Sequence, residues 1–375
     1  MASSDKKDIS KSTAEDFPLN TLYLNPTKYC NLCCKHCWIA PPVKDELGVE
    51  DGEMTVDEMI AIIAEGIKLG LTNVKLTGGE PLLRGDLEKL FEYCYKKNIT
   101  VNIETNGTLV TKEMADMLNV FRVKHIAVSL DSPKEEMHDR FRGKKGAFSK
   151  AIEGIKNLKS KGFAPQVIMT LYRENITAFG EFMDLMRQLE IDNIKINVIS
   201  PIGKGRDLLE SGLAPSVEEV LDFSKTIDQM QKDFKGILHL HVPIAFKSID
   251  EIKFQGCPMC GIKGILGILS DGRASICGVG YVNDDLIFGN LRKDPSALED
   301  IWKNTVVLKQ IREELSSHLK GVCGMCVFKK RCLGSCRAAA YYNTGDLYEP
   351  CGFCQEAYDK GLFPATRLIP ESLRV

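Results

Sequence analysis

Within Pro26–Trp38, PTKYCNLCCKHCW, the cysteines at 30, 34 and 37 follow the spacing Cys-x3-Cys-x2-Cys. Thiolates at this spacing on one loop wrap an iron–sulfur cube. Three protein ligands leave one iron of a four-iron cluster with an open position, a mark of reactive rather than structural metal sites. A zinc knuckle and free buried thiols are the competing readings. Cys33 offers a second register, Cys30-x2-Cys33-x3-Cys37. Adjacent Cys33 and Cys34 point in different directions, so one of them is a bystander. A denser array, Cys323-x2-Cys326-x5-Cys332-x3-Cys336, lies toward the other end, with Cys257, Cys260 and Gly272-x4-Cys277 before it and Cys351 and Cys354 after it. A zinc ribbon takes four cysteines in two pairs. These nine are too many for one zinc, whereas two cubane clusters need eight.

The chain has 375 residues and 14 cysteines, with none between Cys94 and Cys257, so a cysteine-poor body separates two rich zones. Lys and Arg number 49 against 51 Asp and Glu, a net charge of -2 that excludes an overall basic footprint for nucleic acid and an acidic disordered tail. No apolar run approaches the roughly 20 residues of a membrane helix. The opening, MASSDKKDISKSTAEDFP, carries no apolar export signal. The expected location is therefore the reducing cytoplasm, where disulfides are rare and clustered thiols indicate metal.

These cysteines need a scaffold. After a flexible polar leader at 1–17, strand-like runs at 21–24, 73–77, 100–104, 125–130, 166–171 and 193–198 alternate with helical patterns at 56–69, 87–97, 112–118, 147–161 and 178–189. Thr55 and Glu58 form a capping box, Ser216 and Glu219 another before a helix to about Phe234, and Gly70 stops the first helix. Six strands alternating with helices predict an α/β fold with a parallel sheet of right-handed βαβ units, curved into a partial (β/α)6 barrel over 18–245. Chemistry then belongs at the C-terminal strand ends. From 246 to 375 the reading is a small cysteine-rich domain. It holds a hairpin around Asp271-Gly272, a helix over 298–315, and metal sites in place of a hydrophobic core.

Each remaining motif follows a strand. Thr77-Gly78-Gly79-Glu80-Pro81 follows the second; its glycines let backbone approach a ligand and Pro81 fixes the exit. Glu104-Thr105-Asn106-Gly107 follows the third, and Ser129-Leu130-Asp131-Ser132 the fourth, with His138-Asp139-Arg140-Phe141-Arg142-Gly143 beyond it. Ile199–Arg206, ISPIGKGR, follows the sixth. Cys94, on an apolar helix face, reads as a buried small hydrophobe. His239 and His241 share a face of a surface strand.

The Cys30/Cys34/Cys37 motif after a first strand resembles the radical S-adenosylmethionine (SAM) superfamily, with His36 where the family usually has an aromatic residue. The resemblance implies that Gly78, Gly79 and Glu80 hold the amino group of SAM. It implies that Ser129 bonds its ribose or carboxylate, and that Arg142 (or Arg140, if the loop is shifted) faces the carboxylate bidentately. The C-terminal array resembles the SPASM extension of that family, with two auxiliary 4Fe–4S clusters and interleaved ligands. Cys257, Cys260, Cys277 and Cys336 would hold one cluster. Cys323, Cys326, Cys332 and Cys354, with Cys351 as the substitute, would hold the other.

The implied activity is reductive cleavage of SAM to a 5′-deoxyadenosyl radical that abstracts hydrogen from a substrate. The first reading of that substrate is a ribosomally made peptide; a tetrapyrrole side chain in haem biosynthesis is the alternative. Gly278, where sulfatase maturases carry an aspartate, argues against that activity. The expected partners are an electron donor such as flavodoxin or ferredoxin and a separate leader-peptide-binding protein. Neither nucleic acid nor membrane is expected. A non-enzymatic electron carrier explains the clusters but not the Gly-Gly-Glu-Pro segment.

Overall fold

A computed structural model describes residues 17–255, 260–280 and 283–373. Residues 1–16 of the expected leader and Cys257 lie outside the described residues.

The six expected strands form: β1 (Thr21–Leu24), β2 (Asn73–Leu76), β3 (Thr100–Thr105), β4 (His125–Ser129), β5 (Gln166–Leu171) and β6 (Asn193–Val198). Each pairs in parallel with the next. Helices α1 (Val56–Lys68), α2 (Glu88–Lys96), α3 (Lys112–Val120), α4 (Glu135–Arg142), α5 (Ala147–Ser160), α6 (Arg173–Thr177), α7 (Phe179–Gln188), α8 (Lys204–Glu210) and α9 (Val217–Asp233) supply the crossovers. Thr55 and Ser216 cap α1 and α9 with both halves of the capping box in place. Leu22, Leu24, Val74, Leu76 and Ile103 turn outward and pack with Ile62, Ile63, Leu90 and Phe91 of the helices in one large core. The alternate positions turn inward.

The sheet is wider than six strands. β7 (Ile237–His241) pairs in parallel with β6, and β8 (Ile265–Ile268) pairs in parallel with β1 on the opposite side. With β9 (Arg273–Ser275) and β10 (Ile287–Asn290), both antiparallel, the order is β10-β9-β8-β1-β2-β3-β4-β5-β6-β7. The hairpin assigned from sequence to a second domain thus extends the barrel sheet, and Leu291, Leu298, Ile301 and Trp302 join the barrel core. Local periodicity cannot reveal which distant strand supplies an edge.

Two further differences have local causes. α4, EEMHDRFR, carries too many charges to show an apolar stripe. The helix expected over 298–315 is broken after Leu298–Asn304 and passes through a π stretch at Gln310–Glu314. The cysteine-rich zone also has an apolar core of its own, in which Ile262, Ile311, Leu315, Val322, Leu347 and Phe363 surround Cys323, Cys326 and Cys354. Metal sites there supplement hydrophobic packing instead of replacing it. Among the described residues, no helix is long and apolar enough to cross a membrane.

Candidate iron–sulfur active site

The loop after β1 brings Cys30, Cys34 and Cys37 into one cluster with Leu32 and Ala147, while Cys33 points outward, 3.4 Å from Lys204 Nζ. Cys33 is thus the bystander of the adjacent pair. Burial pushes the Cys30 thiol up to about 12 and the Cys34 thiol to about 11. Ionised sulfur here needs a positive partner, and iron supplies one. Among the described residues no three His, Cys, Asp or Glu side chains converge as a single metal ion requires.

Every motif on neighbouring strand ends holds this loop. Thr27 Oγ1 and Lys28 N donate to Glu53 Oε1 at 2.6 and 3.0 Å. Arg84, fully buried, donates to the Pro26 and Met54 carbonyls at 2.8 and 3.0 Å. The Gly-Gly-Glu-Pro backbone lies against the loop: Gly79 N donates to Thr27 O at 3.3 Å and Glu80 N to Tyr29 O at 2.8 Å. A methyl group at Gly79 would overlap the Tyr29 carbonyl oxygen. The close approach expected between this glycine and a ligand is therefore made to the cysteine loop itself. The Glu80 side chain accepts from Thr105 Oγ1 (2.7 Å), Asn106 N (2.7 Å) and Leu82 N (3.1 Å). It ties β2 to β3 and leaves little capacity for another partner.

Asn106 Nδ2 points to Cys30 Sγ at 3.9 Å and donates to Asn31 Oδ1 at 2.8 Å. The end of α4 meets the loop backbone: Cys33 N donates to Arg142 O at 3.1 Å and Lys35 N to Phe141 O at 2.9 Å. Gly143, at φ +73, has no space for a side chain against the Cys33 carbonyl. Lys204 N, at the start of α8, donates to Cys37 O at 3.2 Å.

Arg142 has a partner within the protein. Its Nε and Nη2 donate to Asp131 at 2.6 and 3.1 Å, and Nη1 points to Cys34 Sγ at 3.8 Å. The Nε–Nη2 edge of the guanidinium is therefore taken by Asp131, and a SAM carboxylate could meet only its Nη1–Nη2 edge. The alternative, Arg140, pairs with Glu174 at the surface. Ser129 lies half-buried at the inward C-terminal end of β4, open to a ligand.

The mouth also holds polar atoms in need of partners. Asn25 is fully buried, with both amide atoms unpartnered among the described residues; so are His36 Nδ1 and Asn197 Oδ1. Asn25 sits beside Gly78, and His36 stacks on Phe141 at 4.7 Å, which in turn stacks on Tyr172 at 4.1 Å. Buried amides without partners are costly, and a polar, partly aromatic ligand such as SAM would satisfy them.

Beyond the barrel the cysteines form two groups. Cys323, Cys326, Cys332 and Cys354 line one small cavity with Ile244, Val322 and Phe363. Cys351 is not in that lining, but its thiol meets that of Cys354 and its N–H donates to Cys323 Sγ at 3.3 Å. Cys260, Cys277 and Cys336 form the other group, each near enough to oppose ionisation of another. Tyr23 of β1 faces Cys260 and Cys277. Cys336 thus groups with Cys260 and Cys277, while Cys351 also lies near enough to oppose its ionisation. Sequence reasoning missed Arg337. It is 1% exposed, bonded to the Leu347 and Glu349 carbonyls (2.7 Å each), and lies close enough to both groups to favour their thiolates.

A parallel barrel with a three-thiol loop at its mouth and two further thiol groups defines an iron–sulfur protein of the SAM-dependent kind. A model of the Radical SAM superfamily matches residues 24–186, and one of the SPASM iron–sulfur cluster-binding domain matches 257–327. The AdoMet-dependent heme synthase of Methanosarcina barkeri is 32% identical over 344 residues, covering 88% of this chain and 94% of that protein. The mycofactocin maturase MftC of Mycobacterium tuberculosis is 26% identical, covering 92% and 85%. Among solved structures, Streptococcus suis SuiB bound to S-adenosylmethionine superposes with a TM-score of 0.69 at 18% identity (90% and 77% covered). Native anSMEcpe with bound AdoMet gives 0.70 at 18% (91% and 95% covered). The chain belongs to the radical SAM superfamily and carries its SPASM extension. Its cofactors are SAM and 4Fe–4S clusters.

Proposed function

We propose that this enzyme abstracts hydrogen from a carboxylate-bearing tetrapyrrole and modifies its side chain. When bound, SAM and the clusters supply one-electron cleavage of SAM, hydrogen abstraction by the resulting 5′-deoxyadenosyl radical, and a sink for the electron released on product formation. Cys30, Cys34 and Cys37 hold the first cluster. Asn106 and Arg142 direct N–H groups at two of its sulfurs, while Ser129 and the unpartnered Asn25 and His36 meet SAM. Gly78, Gly79 and Glu80 set the strand ends around SAM. Cys260, Cys277 and Cys336, with Cys257, hold one auxiliary cluster, and Cys323, Cys326, Cys332 and Cys354 hold the other.

The observation that carries the substrate class is 32% identity to a heme synthase over nearly all of both chains. It reverses the order in which sequence alone ranks peptide and tetrapyrrole. The peptide reading is second, carried by the 26% likeness to mycofactocin maturases. An electron carrier would have no use for Ser129 or for the unpartnered amides at the barrel mouth. The test is anaerobic incubation of the reduced, reconstituted enzyme with SAM and Fe-coproporphyrin III. The expected result is 5′-deoxyadenosine release and loss of carbon dioxide from the porphyrin by mass spectrometry. SAM cleavage with an unchanged porphyrin and a changed precursor peptide would establish the second reading. No cleavage of SAM at all overturns both.

A further inference from the structure

In closed (β/α)8 barrels the inward positions are filled by bulky branched residues. Here many are polar. Register places Tyr23, Lys75, Asn102 and His125 in one inward row across β1–β4. Ser129 and Lys195 flank Ile168 in another row across β4–β6. Glu104 accepts from Lys75 Nζ at 2.6 Å, and Lys75 lies 5.0 Å from the Tyr23 ring centroid.

Lys195 is different. It is half-buried on the inward face of β6, and no hydrogen bond or close ion pair among the described residues engages its ammonium. Burial holds its pKa below the ordinary lysine value, with Glu104 and Lys75 acting on it in opposite directions across the lumen. Two ammonium groups, Lys75 and Lys195, therefore face one carboxylate, Glu104. The neighbouring imidazoles add no charge near neutrality: burial lowers His125, and it lowers His241 to about 4. An uncompensated cation in a half-enclosed lumen is costly unless an anion joins it.

Ser129 and Lys195 are two strands apart in one register row, roughly 10 Å at the usual strand spacing. An anion at Lys195 would thus lie within one small molecule's length of the SAM end of the barrel.

We infer that Lys195, with the Lys75–Glu104 pair opposite, binds a carboxylate of the substrate inside the barrel. This deepens the proposed function and rests on it for the identity of the carboxylate, a tetrapyrrole propionate. A peptide carboxylate would be read by the same chemistry.

The test is binding to the anaerobically reconstituted enzyme with SAM, using Fe-coproporphyrin III, its tetramethyl ester, and a precursor-type peptide with a free or an amidated C-terminus. Wild type should bind the free acid roughly tenfold to a hundredfold tighter than the ester, the range for a charge-assisted hydrogen bond. Lys195→Met should abolish that preference with ester binding unchanged, and Lys195→Arg should retain it. Equal binding of acid and ester by wild type, or an undiminished preference in Lys195→Met, overturns the carboxylate site while the tetrapyrrole reading stands. No binding of either porphyrin, together with a free-acid preference for the peptide that Lys195→Met removes, supports the site and overturns the tetrapyrrole reading. No binding of any probe overturns the site.

Discussion

Asp131 and Arg142 meet through two hydrogen bonds, Nε to Oδ2 at 2.6 Å and Nη2 to Oδ1 at 3.1 Å, with 0% and 6% exposure. Asp131 Oδ1 also accepts from Thr170 N at 2.9 Å, so the pair links the ends of β4 and β5 to the third guanidinium nitrogen beside Cys34. Burial pushes the Asp131 carboxyl up, but the charge and hydrogen bonds of Arg142, together with the neighbouring His36 and His138, leave the group below the ordinary aspartate value. This pair fixes the direction from which positive charge reaches the cluster loop.

Removing one partner leaves a buried charge alone. Asp131→Asn should destabilise the protein by about 3–5 kcal/mol and reduce iron bound at the Cys30/Cys34/Cys37 site. Thermal melting and iron analysis check both. Arg142→Lys should keep more iron than Arg142→Met, since it retains charge though not the fork.

Gly79→Ala forces a methyl group into the Tyr29 carbonyl, a backbone atom that cannot swing away. A loss of roughly 3 kcal/mol or more is expected, with the first cluster depleted and the auxiliary clusters retained. The spectra of Gly79→Ala should match those of a Cys30/Cys34/Cys37→Ala variant.

Glu80 supplies a pH dependence. Burial pushes its carboxyl up to about 7 despite three donors. A carboxyl raised in the folded state binds its proton more tightly there than in the unfolded chain. Stability from this group is therefore greatest below the ordinary glutamate value and falls as pH rises toward about 7. Melting across that window should show the decline, and Glu80→Gln should flatten it.

Cys354 lines the cavity with Cys323, Cys326 and Cys332, whereas Cys351 meets the group from behind Cys354, through that thiol and an N–H to Cys323. Cys354→Ala should remove about four irons, one cluster, and Cys351→Ala should leave iron content near wild type. Anaerobic reconstitution with iron quantitation separates the two.

Arg337 favours ionised sulfur in both auxiliary groups. Replacing it with Met removes a buried cation, so both auxiliary clusters should become harder to reduce. An electron paramagnetic resonance redox titration should show both potentials moving negative while that of the first cluster stays in place.

Most of the scaffold was legible because its signals are local. Alternation along 21–24 or 166–171, the Thr55–Glu58 and Ser216–Glu219 boxes, and the Asp271-Gly272 turn each depend on residues within a few positions. α4 was not legible, since its charges hide the stripe; the strands β7 and β8 were, but not their pairing, because their partners β6 and β1 lie far away in sequence.

The sequence by itself determined the chemistry: cysteine types and spacings limit which clusters the chain can hold, because a cube demands thiols at short loop intervals. The tertiary structure alone decided the employment of the polar residues. It turned Glu80 toward Thr105 and Asn106, closed Arg142 on Asp131, set Arg337 between two thiol groups and left Lys195 with no hydrogen-bonded counter-ion among the described residues. The physical reason is that a buried charge is defined by its surroundings, and those come from strands tens of residues apart that meet only when the sheet closes.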